Sequence, residues 1–312
     1  MGANPANSVK IKSMKILITG ASGLIGSALQ KSFAEKGHEM LLAGRRFINK
    51  PDHVVWDAEK GFDMEALAKI EGVDAIVHLA GEPIGDWRWT EDKKKRIVES
   101  RVQGTRSIID AISRFKDKPK VLVSSSAVGY YGDRGDEVLT ERGGVGDTFL
   151  AEVCRDWEAE ARKAENYGVR VVLSRNGVVL SKDGGALATM LTPFSLGLGG
   201  VAGSGKQWMS WISLDDIVGI TNFVLENEAI EGAVNAVAPN PVTNEEFTKT
   251  LGEVIHRPTF LPLPKFAVDL VMGEMGDALL IDSARVTPKK LEDAGYEFKY
   301  TELRAALEDA VK

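Results

Sequence analysis

Short apolar runs recur along the first 180 residues, separated by longer stretches whose apolar residues fall at helical spacing. Residues 16–18 (Ile-Leu-Ile) read as a short buried strand, and residues 24–36 carry the periodicity of an amphipathic helix. Further strands are expected at 40–42, 54–56, 75–77, 121–123 and 169–173. Helical stretches lie between most of them, notably around 91–115 and 148–166. The strand segments are continuously apolar, as strands covered on both faces are. Strand and helix in alternation predict an α/β fold, a doubly wound parallel sheet of Rossmann type.

After residue 180 the rhythm breaks. Gly184, Gly185, Gly197, Gly199, Gly200, Gly203 and Gly205 mark a loop-rich region holding one helix. Ser213-Leu-Asp-Asp216 has the form of a cap for a helix running to Glu226, and Thr243-Asn-Glu-Glu246 that of a capping box for the next. Pro258, Pro262 and Pro264 make a stiff connector, and a helical tail is expected from Lys265 onward. The pattern divides the chain into a polar extension (1–13), a Rossmann domain (14–180, with return segments near 206–240), a smaller α/β substrate-side region (181–259) and a small C-terminal domain (260–312).

With 44% hydrophobic residues over 312 positions, the chain is long enough to bury a full core. A net charge of −6 and no basic stripe argue against nucleic acid as a partner. The cluster Lys93-Lys94-Lys95-Arg96 follows Glu91 and Asp92 and reads as a solvated helix face. A single cysteine, Cys154, excludes an intrachain disulfide and suits a reducing, cytoplasmic setting. No apolar run is long enough for a bilayer, so no membrane partner is expected. The scattered histidines His38, His53, His78 and His256 lack metal-ligand spacing, so no metal is expected.

The chemistry begins at Thr19-Gly20-Ala-Ser22-Gly23-Leu24-Ile25-Gly26, which follows a strand and opens a helix. Gly20 permits a tight turn, Gly23 lets a pyrophosphate approach the backbone, and Gly26 lets helix and strand pack closely. The amides at the helix start, from Ser22 through Leu24 and Ile25 to Gly26, would receive the anion. The second strand ends Ala43-Gly44-Arg45-Arg46, with no acid to accept from a ribose 2′-hydroxyl and two guanidiniums to grip a 2′-phosphate. NADP is the expected cofactor.

These residues resemble the extended short-chain dehydrogenase/reductases. The resemblance rests on the glycine motif, on His78-Leu79-Ala80-Gly81, on Arg101-Val-Gln-Gly104-Thr105, on Ser124-Ser125-Ser126-Ala-Val-Gly-Tyr-Tyr-Gly132, and on Trp211-Ile-Ser-Leu-Asp215-Asp216. Gly81-Glu82-Pro83-Ile84, Cys154-Arg-Asp-Trp157-Glu158, Arg175-Asn-Gly177 and the 193–200 segment are similar to an atypical subgroup, the epimerase family that includes human short-chain dehydrogenase 39U. The resemblance implies NADP binding, with contacts at Asp57, Leu79, Ala80, Gly81, Glu82, Arg101 and Val178. It also implies homodimerisation through a helix pair that includes 148–166.

In that family a Tyr exchanges a proton with the substrate and a Lys one helical turn later holds the ribose. Here those positions are Leu150 and Cys154, and the Asn of the preceding helix is Arg101. Loss of a positioned acid/base costs about 10²- to 10⁴-fold in rate. Ser126 survives as the family's Ser, with Ser125 as the alternative register. Cys154, beside Arg155, is either a rewired acid/base or nucleophile or a small packing residue. Tyr130 and Tyr131 are either nicotinamide-side phenols or packing aromatics. His78 reads as a satisfied buried histidine, and Glu82 as a cofactor-side residue. The catalytic candidates are therefore Ser126, Tyr131 and Cys154.

On the substrate side, the family's diphosphate-binding Arg position is Met209, flanked by Trp208 and Trp211, with Trp87, Trp89, Arg88 and Lys206 as further candidates. A small carbonyl or alcohol fits this lining better than a nucleotide sugar does. Two functions follow: an NADP-dependent epimerase or oxidoreductase with rewired proton transfer, or an NADP-dependent sensor without turnover.

Overall fold

The computed structural model describes residues 13–46, 48–85 and 88–312. Most of the expected polar extension, and Trp87, lie outside the described residues. Five strands, β1 (Lys15–Thr19), β2 (Glu39–Gly44), β3 (His53–Val55), β4 (Ala75–His78) and β5 (Val121–Ala127), join Arg170–Asn176 and Gly232–Ala236 in one sheet. From one edge the order is Gly232–Ala236, Arg170–Asn176, β5, β4, β1, β2, β3, and every pairing is parallel. This is the doubly wound Rossmann-type arrangement that the apolar rhythm predicts. The seventh strand comes from the expected return segment. The third strand stops at Val55, and Trp56 instead packs its indole against His78, centroids 5.9 Å apart.

Eight helices of the chain are α1 (Leu24–Glu35), α2 (Met64–Ile70), α3 (Glu91–Arg114), α4 (Phe149–Arg162), α5 (Gly185–Ser195), α6 (Leu214–Glu226), α7 (Asn244–Val254) and α8 (Lys265–Met272). Period-two alternation sorts the sheet side chains. Leu17, Ile76, Leu122 and Leu173 face α2, α3 and α4. Ile16, Ile18, Val77, Val123 and Val172 face α1 and α6. Both faces are covered, which explains why the strands read as unbroken apolar runs.

The expected helical tail is a correction. After α8 the chain makes a π-helical turn, Asp277–Ile281, then a short strand, Arg285–Val286, parallel to Val138–Leu139. Two further helices follow, Lys289–Asp293 and Leu303–Ala310. Pro288 and Gly295, the latter at φ +77°, interrupt any continuous helix. The last helix packs Leu303, Ala306 and Leu307 against Trp211, Phe247 and Leu251.

Ser213 caps α6 as its sequence predicts, accepting from the Asp216 amide at 2.9 Å. The buried Asp216 carboxylate then binds the C-terminal segment, accepting from the Lys299 amide at 2.7 Å and the Tyr300 amide at 3.1 Å. The Ser213 hydroxyl donates to it at 2.6 Å. Asp216→Asn keeps the shape but turns an N–H toward donors. We expect a loss of about 3 kcal/mol in urea unfolding, with the Leu303–Ala310 amides losing exchange protection first. An Asn variant as stable as the parent would refute this tether.

Candidate functional site

β1 delivers the chain to the edge where strand order reverses, between β1 and β4. In open α/β sheets this is where a crevice opens. Gly20 turns there at φ +70°, and a Cβ on it would meet the Leu79 carbonyl carbon at 2.8 Å. A Cβ on Gly26 would lie 2.4 Å from the Gly20 oxygen, so α1 seats directly on the turn. Gly23 differs: a Cβ there would touch only the Gly20 oxygen, at 3.3 Å, and otherwise project into open space.

Five helices flank the sheet. Asp63, Thr90, Thr148 and Ser213 each cap one through a side chain. Gly23, at the start of α1, makes no side-chain cap bond. The first amides of α1, at Leu24, Ile25 and Gly26, are therefore left for an anion beside exposed Ser22. The residues fit a dinucleotide pyrophosphate.

A buried chain of hydrogen bonds holds the two loops together. The Thr19 hydroxyl lies 2.7 Å from His78 Nδ1, and His78 Nε2 lies 3.1 Å from the Thr105 hydroxyl, which donates to the Arg101 carbonyl. The amides of Leu79 and Ala80 donate to Thr19 Oγ1 at 3.2 and 3.3 Å. Only a neutral imidazole protonated on Nε2 satisfies every partner. Burial lowers the His78 pKa from 6.5 to about 4, so it is the satisfied core histidine expected. The Leu79 and Ala80 amides are thereby engaged within the protein.

The loop Gly81–Glu82 lies along one face of α3. Ser100 accepts from the Glu82 amide at 3.0 Å, and Arg101 Nη1 donates to the Glu82 carbonyl at 3.0 Å. The Glu82 carboxylate binds Lys93 at 2.9 Å and Arg96 at 3.5 Å, and the Lys93 bond leads in holding its pKa below the usual range. The basic cluster is a solvated face only in part: Lys95 and Arg96 are exposed, but Lys93 is 6% exposed and Lys94 pairs with Glu274 of the C-terminal region. Glu82 is occupied by α3 rather than turned outward with a free carboxylate.

Arg45 and Arg46 are exposed at the end of β2. Asp57 accepts from the Lys60 and Glu59 amides, both at 3.0 Å, which chiefly keeps its pKa low, with a smaller contribution from nearby Arg45. The Val178 amide donates to the Ser210 carbonyl at 2.8 Å. The Asp57 carboxylate is therefore engaged in its own turn, and the Val178 amide by the neighbouring segment at Ser210.

The catalytic candidates form a sealed layer rather than a cleft lining. Ser126 is 3% exposed, Tyr131 0% and Cys154 4%. Ser126 donates to Glu158 Oε1 at 2.7 Å, and Arg175 binds the same carboxylate through Nε and Nη2 at 2.8 and 2.9 Å. Arg175 Nη1 donates to the Tyr131 hydroxyl at 2.9 Å, and that hydroxyl donates to Asn235 at 2.6 Å. The Arg175 guanidinium also stacks 3.5 Å from the Tyr130 ring centroid. Burial raises the Tyr131 pKa. Burial, then the Glu158 charge, pushes the Cys154 thiol up to about 11. The assignments of Tyr131 and Cys154 to catalysis are corrected: the phenol is a brace and the thiol a packing group. Ser126 turns its proton into α4.

Glu158 and Arg175 figure in the sequence only as marks of the resemblance, and the buried network they form with Asn235 was not read from it. The signal for Glu158 was its position four residues beyond Cys154 and eight beyond Leu150, on one helix face. Asp282 also escaped notice: it is half-buried after the π-helical turn, and burial followed by the Asp133 charge raises its pKa to about 6. On the substrate side Trp211 is fully buried and donates to the Asn240 carbonyl. Trp208 bonds Asp136 at 2.8 Å, Trp89 meets Phe149 edge-on at 5.2 Å, and Met209 Sδ accepts from Asn244. Lys206 and Arg88 are exposed, and Arg88 reaches the Asp269 carbonyl at 3.4 Å.

The family model for the NAD dependent epimerase/dehydratase family matches residues 16–236. The chain belongs to that family. A domain of unknown function, DUF1731, matches residues 263–310, the segment that replaces the expected helical tail. An epimerase family protein of Mycobacterium bovis is 42% identical to this family member over 293 residues, covering 94% of this chain and 96% of the relative. The crystal structure of human epimerase family protein SDR39U1 with NADPH superposes with a TM-score of 0.86 at 36% identity, covering 95% of this chain and 99% of that one. A nucleoside-diphosphate sugar epimerase from Corynebacterium glutamicum superposes at 0.79 with 37% identity, covering 96% of this chain and 58% of that one.

Between pH 6.5 and 4 the unfolded chain of this epimerase-family protein protonates His78 and the folded one does not. Stability from this group is full above the unfolded pKa and falls as pH drops toward the folded one. About 3 kcal/mol should be lost across that window, read by urea titration at stepped pH. His78→Gln removes the titrating ring, and its profile should be flatter by that amount. Parallel profiles would disprove the assignment.

Proposed function

We propose that the chain binds NADP(H) at the crevice between β1 and β4 and is an epimerase-like oxidoreductase for a small carbonyl or alcohol. The observation that carries the reading is the uncapped start of α1 at Gly23, beneath a turn whose other glycines are filled by protein backbone. The human relative named above was crystallised with NADPH, which supports the same cofactor here. Arg45 and Arg46, exposed beyond β2 with no carboxylate among Ala43-Gly44-Arg45-Arg46, favour a 2′-phosphate over a free 2′-hydroxyl.

Bound NADP would supply hydride exchange at a carbon bearing oxygen. The chain's part is to hold the dinucleotide on α1 amides and to present an apolar wall through Leu150. Tyr131 and Cys154 are 0% and 4% exposed, which argues against either moving a proton to a substrate in the crevice. That same burial favours a second reading, a binding protein whose NADP occupancy controls an association without turnover.

The test is a calorimetric titration with NADPH and NADH, followed by nicotinamide absorbance against a panel of small carbonyls and alcohols. NADPH should bind at least about 10-fold tighter than NADH, a gap of roughly 1.4 kcal/mol. Gly23→Ala should melt close to the parent and lose NADPH, whereas Gly26→Ala should unfold at lower temperature because its Cβ strikes backbone. Tighter NADH binding would overturn the cofactor assignment. Tight NADPH binding with no turnover on any substrate of the panel would select the binding-protein reading.

A further inference from the structure

Most of the exposed large apolar side chains among the described residues fall in two segments, 196–198 and 260–271. Leu196, Leu198, Phe260, Phe266, Leu270 and Val271 are 59–75% exposed. The two segments lie against each other. Arg257 Nε donates to the Ser195 carbonyl at 2.8 Å, and the Leu263 amide to the Val201 carbonyl at 2.9 Å. A Cβ on Gly200 would fall 1.3 Å from the Leu261 carbonyl oxygen, so the two backbones touch. α8 follows at Lys265 and buries only Val268, which leaves Phe266, Leu270 and Val271 on its outer side. Single exposed apolar residues are ordinary, but a joined face of them marks a binding surface.

This face is connected to the cofactor crevice along two lines. α5 starts beside the glycine turn: a Cβ on Gly184 or Gly185 would touch the Leu24 side chain, at 3.8 and 3.6 Å. Its 11 residues rise about 16 Å and end at Ser195, next to Leu196. The second line starts at Phe149, the neighbour of Leu150 on the crevice wall. Trp89 packs edge-on against Phe149, and Arg88 beside it reaches the Asp269 carbonyl on α8 at 3.4 Å. A Cβ on Gly273, just past α8, would lie 3.1 Å from the Arg88 guanidinium.

Charge narrows the occupant. Lys265 bonds Asp269 and Asp277, Lys94 bonds Glu274, and Arg257 donates to the Ser195 and His256 carbonyls. These cations and carboxylates are committed to one another or to backbone, so the face offers little to a charged protein or to an anionic lipid surface. A neutral hydrocarbon matches both the face and the wall that leads to it. We propose that this face holds the hydrocarbon tail of the substrate, an amphiphilic alcohol or carbonyl compound whose oxygen-bearing carbon enters the crevice. This rests on the NADP-dependent oxidoreductase reading above and names the substrate class for it. Phe266 and Leu270 on one segment, and Leu196 and Leu198 on the other, are then specificity-determining residues.

The experiment titrates butanol, octanol and dodecanol calorimetrically into the NADPH-loaded parent and into two double variants, Phe266→Ser with Leu270→Ser and Leu196→Ser with Leu198→Ser. Melting curves and sedimentation accompany each protein. In the parent, affinity should rise about 3-fold per added methylene between butanol and octanol, the worth of burying that group. Each double variant should bind dodecanol at least about 10-fold more weakly than the parent and keep butanol and NADPH within about twofold. The altered side chains are exposed, so both variants should melt close to the parent, and either one decides the matter where the other fails to fold. A flat series in the parent, or the same slope in parent and variants, would overturn the tail site. A parent dimer that both variants dissociate would overturn it in favour of a second copy on this face. Adhesion of the parent to phosphatidylcholine vesicles without dodecanol binding would overturn it in favour of a lipid surface. A parent that fails to bind NADPH yet keeps the chain-length series would overturn the NADP reading and leave the apolar site standing.

Discussion

The whole arrangement depends on one contact, the meeting of the Gly20 turn with the backbone of Leu79 and Ala80. No side chain fits between them: a Cβ at Gly20 would sit 2.8 Å from the Leu79 carbonyl carbon. The Thr19–His78–Thr105 chain of hydrogen bonds closes that junction from below and ties it to α3 at the Arg101 carbonyl. With β1 and β4 locked at this point, α1 begins above the sheet edge and the Gly81–Glu82 loop lies beside it. The position of every anion-facing amide and of the Arg101 guanidinium follows.

A second layer, built on the Glu158–Arg175 pair, lies under the end of β5. Its charges are buried to about 5% exposure and are matched by two hydrogen bonds across the pair, one from Ser126 and one to Tyr131. A buried pair of this kind is weak evidence for net stability, but removing one partner is costly. The physical effect is to fix side chains that would otherwise be free to rotate. Ser126 has its proton held by a carboxylate, and Tyr131 is held at both its proton and its oxygen. The layer makes a rigid floor, and it explains why residues of suitable chemistry take no part at the surface of the crevice.

The two layers differ in how they treat charge. Around Glu158 every donor has an acceptor. Around Arg101, among the described residues, Nη1 reaches the Glu82 and Ile97 carbonyls while Trp157 Nε1 is buried without a partner. The first pattern is that of a finished core, whereas Arg101 is partly open to solvent. The C-terminal region completes the frame, since Asp216 anchors Lys299 and Tyr300, and Arg88 and Lys94 bridge from the 88–94 segment to Asp269 and Glu274.

The sequence by itself determined the sheet, the helix caps at Ser213 and Thr243, and the glycine turn. These are set by local rules: apolar period, cap chemistry and the absence of a Cβ act over a few residues and read directly from the chain. The absences were legible as well, because Leu150 cannot transfer a proton in any fold. Tertiary structure alone decided what the polar residues do. Lys93 looked solvated in its run of charges and became buried because Glu82, eleven residues earlier, folds back onto α3. Tyr131 and Cys154 looked reactive and became inert because Asn235, Arg175 and Glu158 arrive from distant segments to seal them. The C-terminal strand Arg285–Val286 formed where a helix was expected because Val138–Leu139 offered it a partner. A side chain's chemistry is set by its own atoms, but its availability depends on what the rest of the chain packs against it.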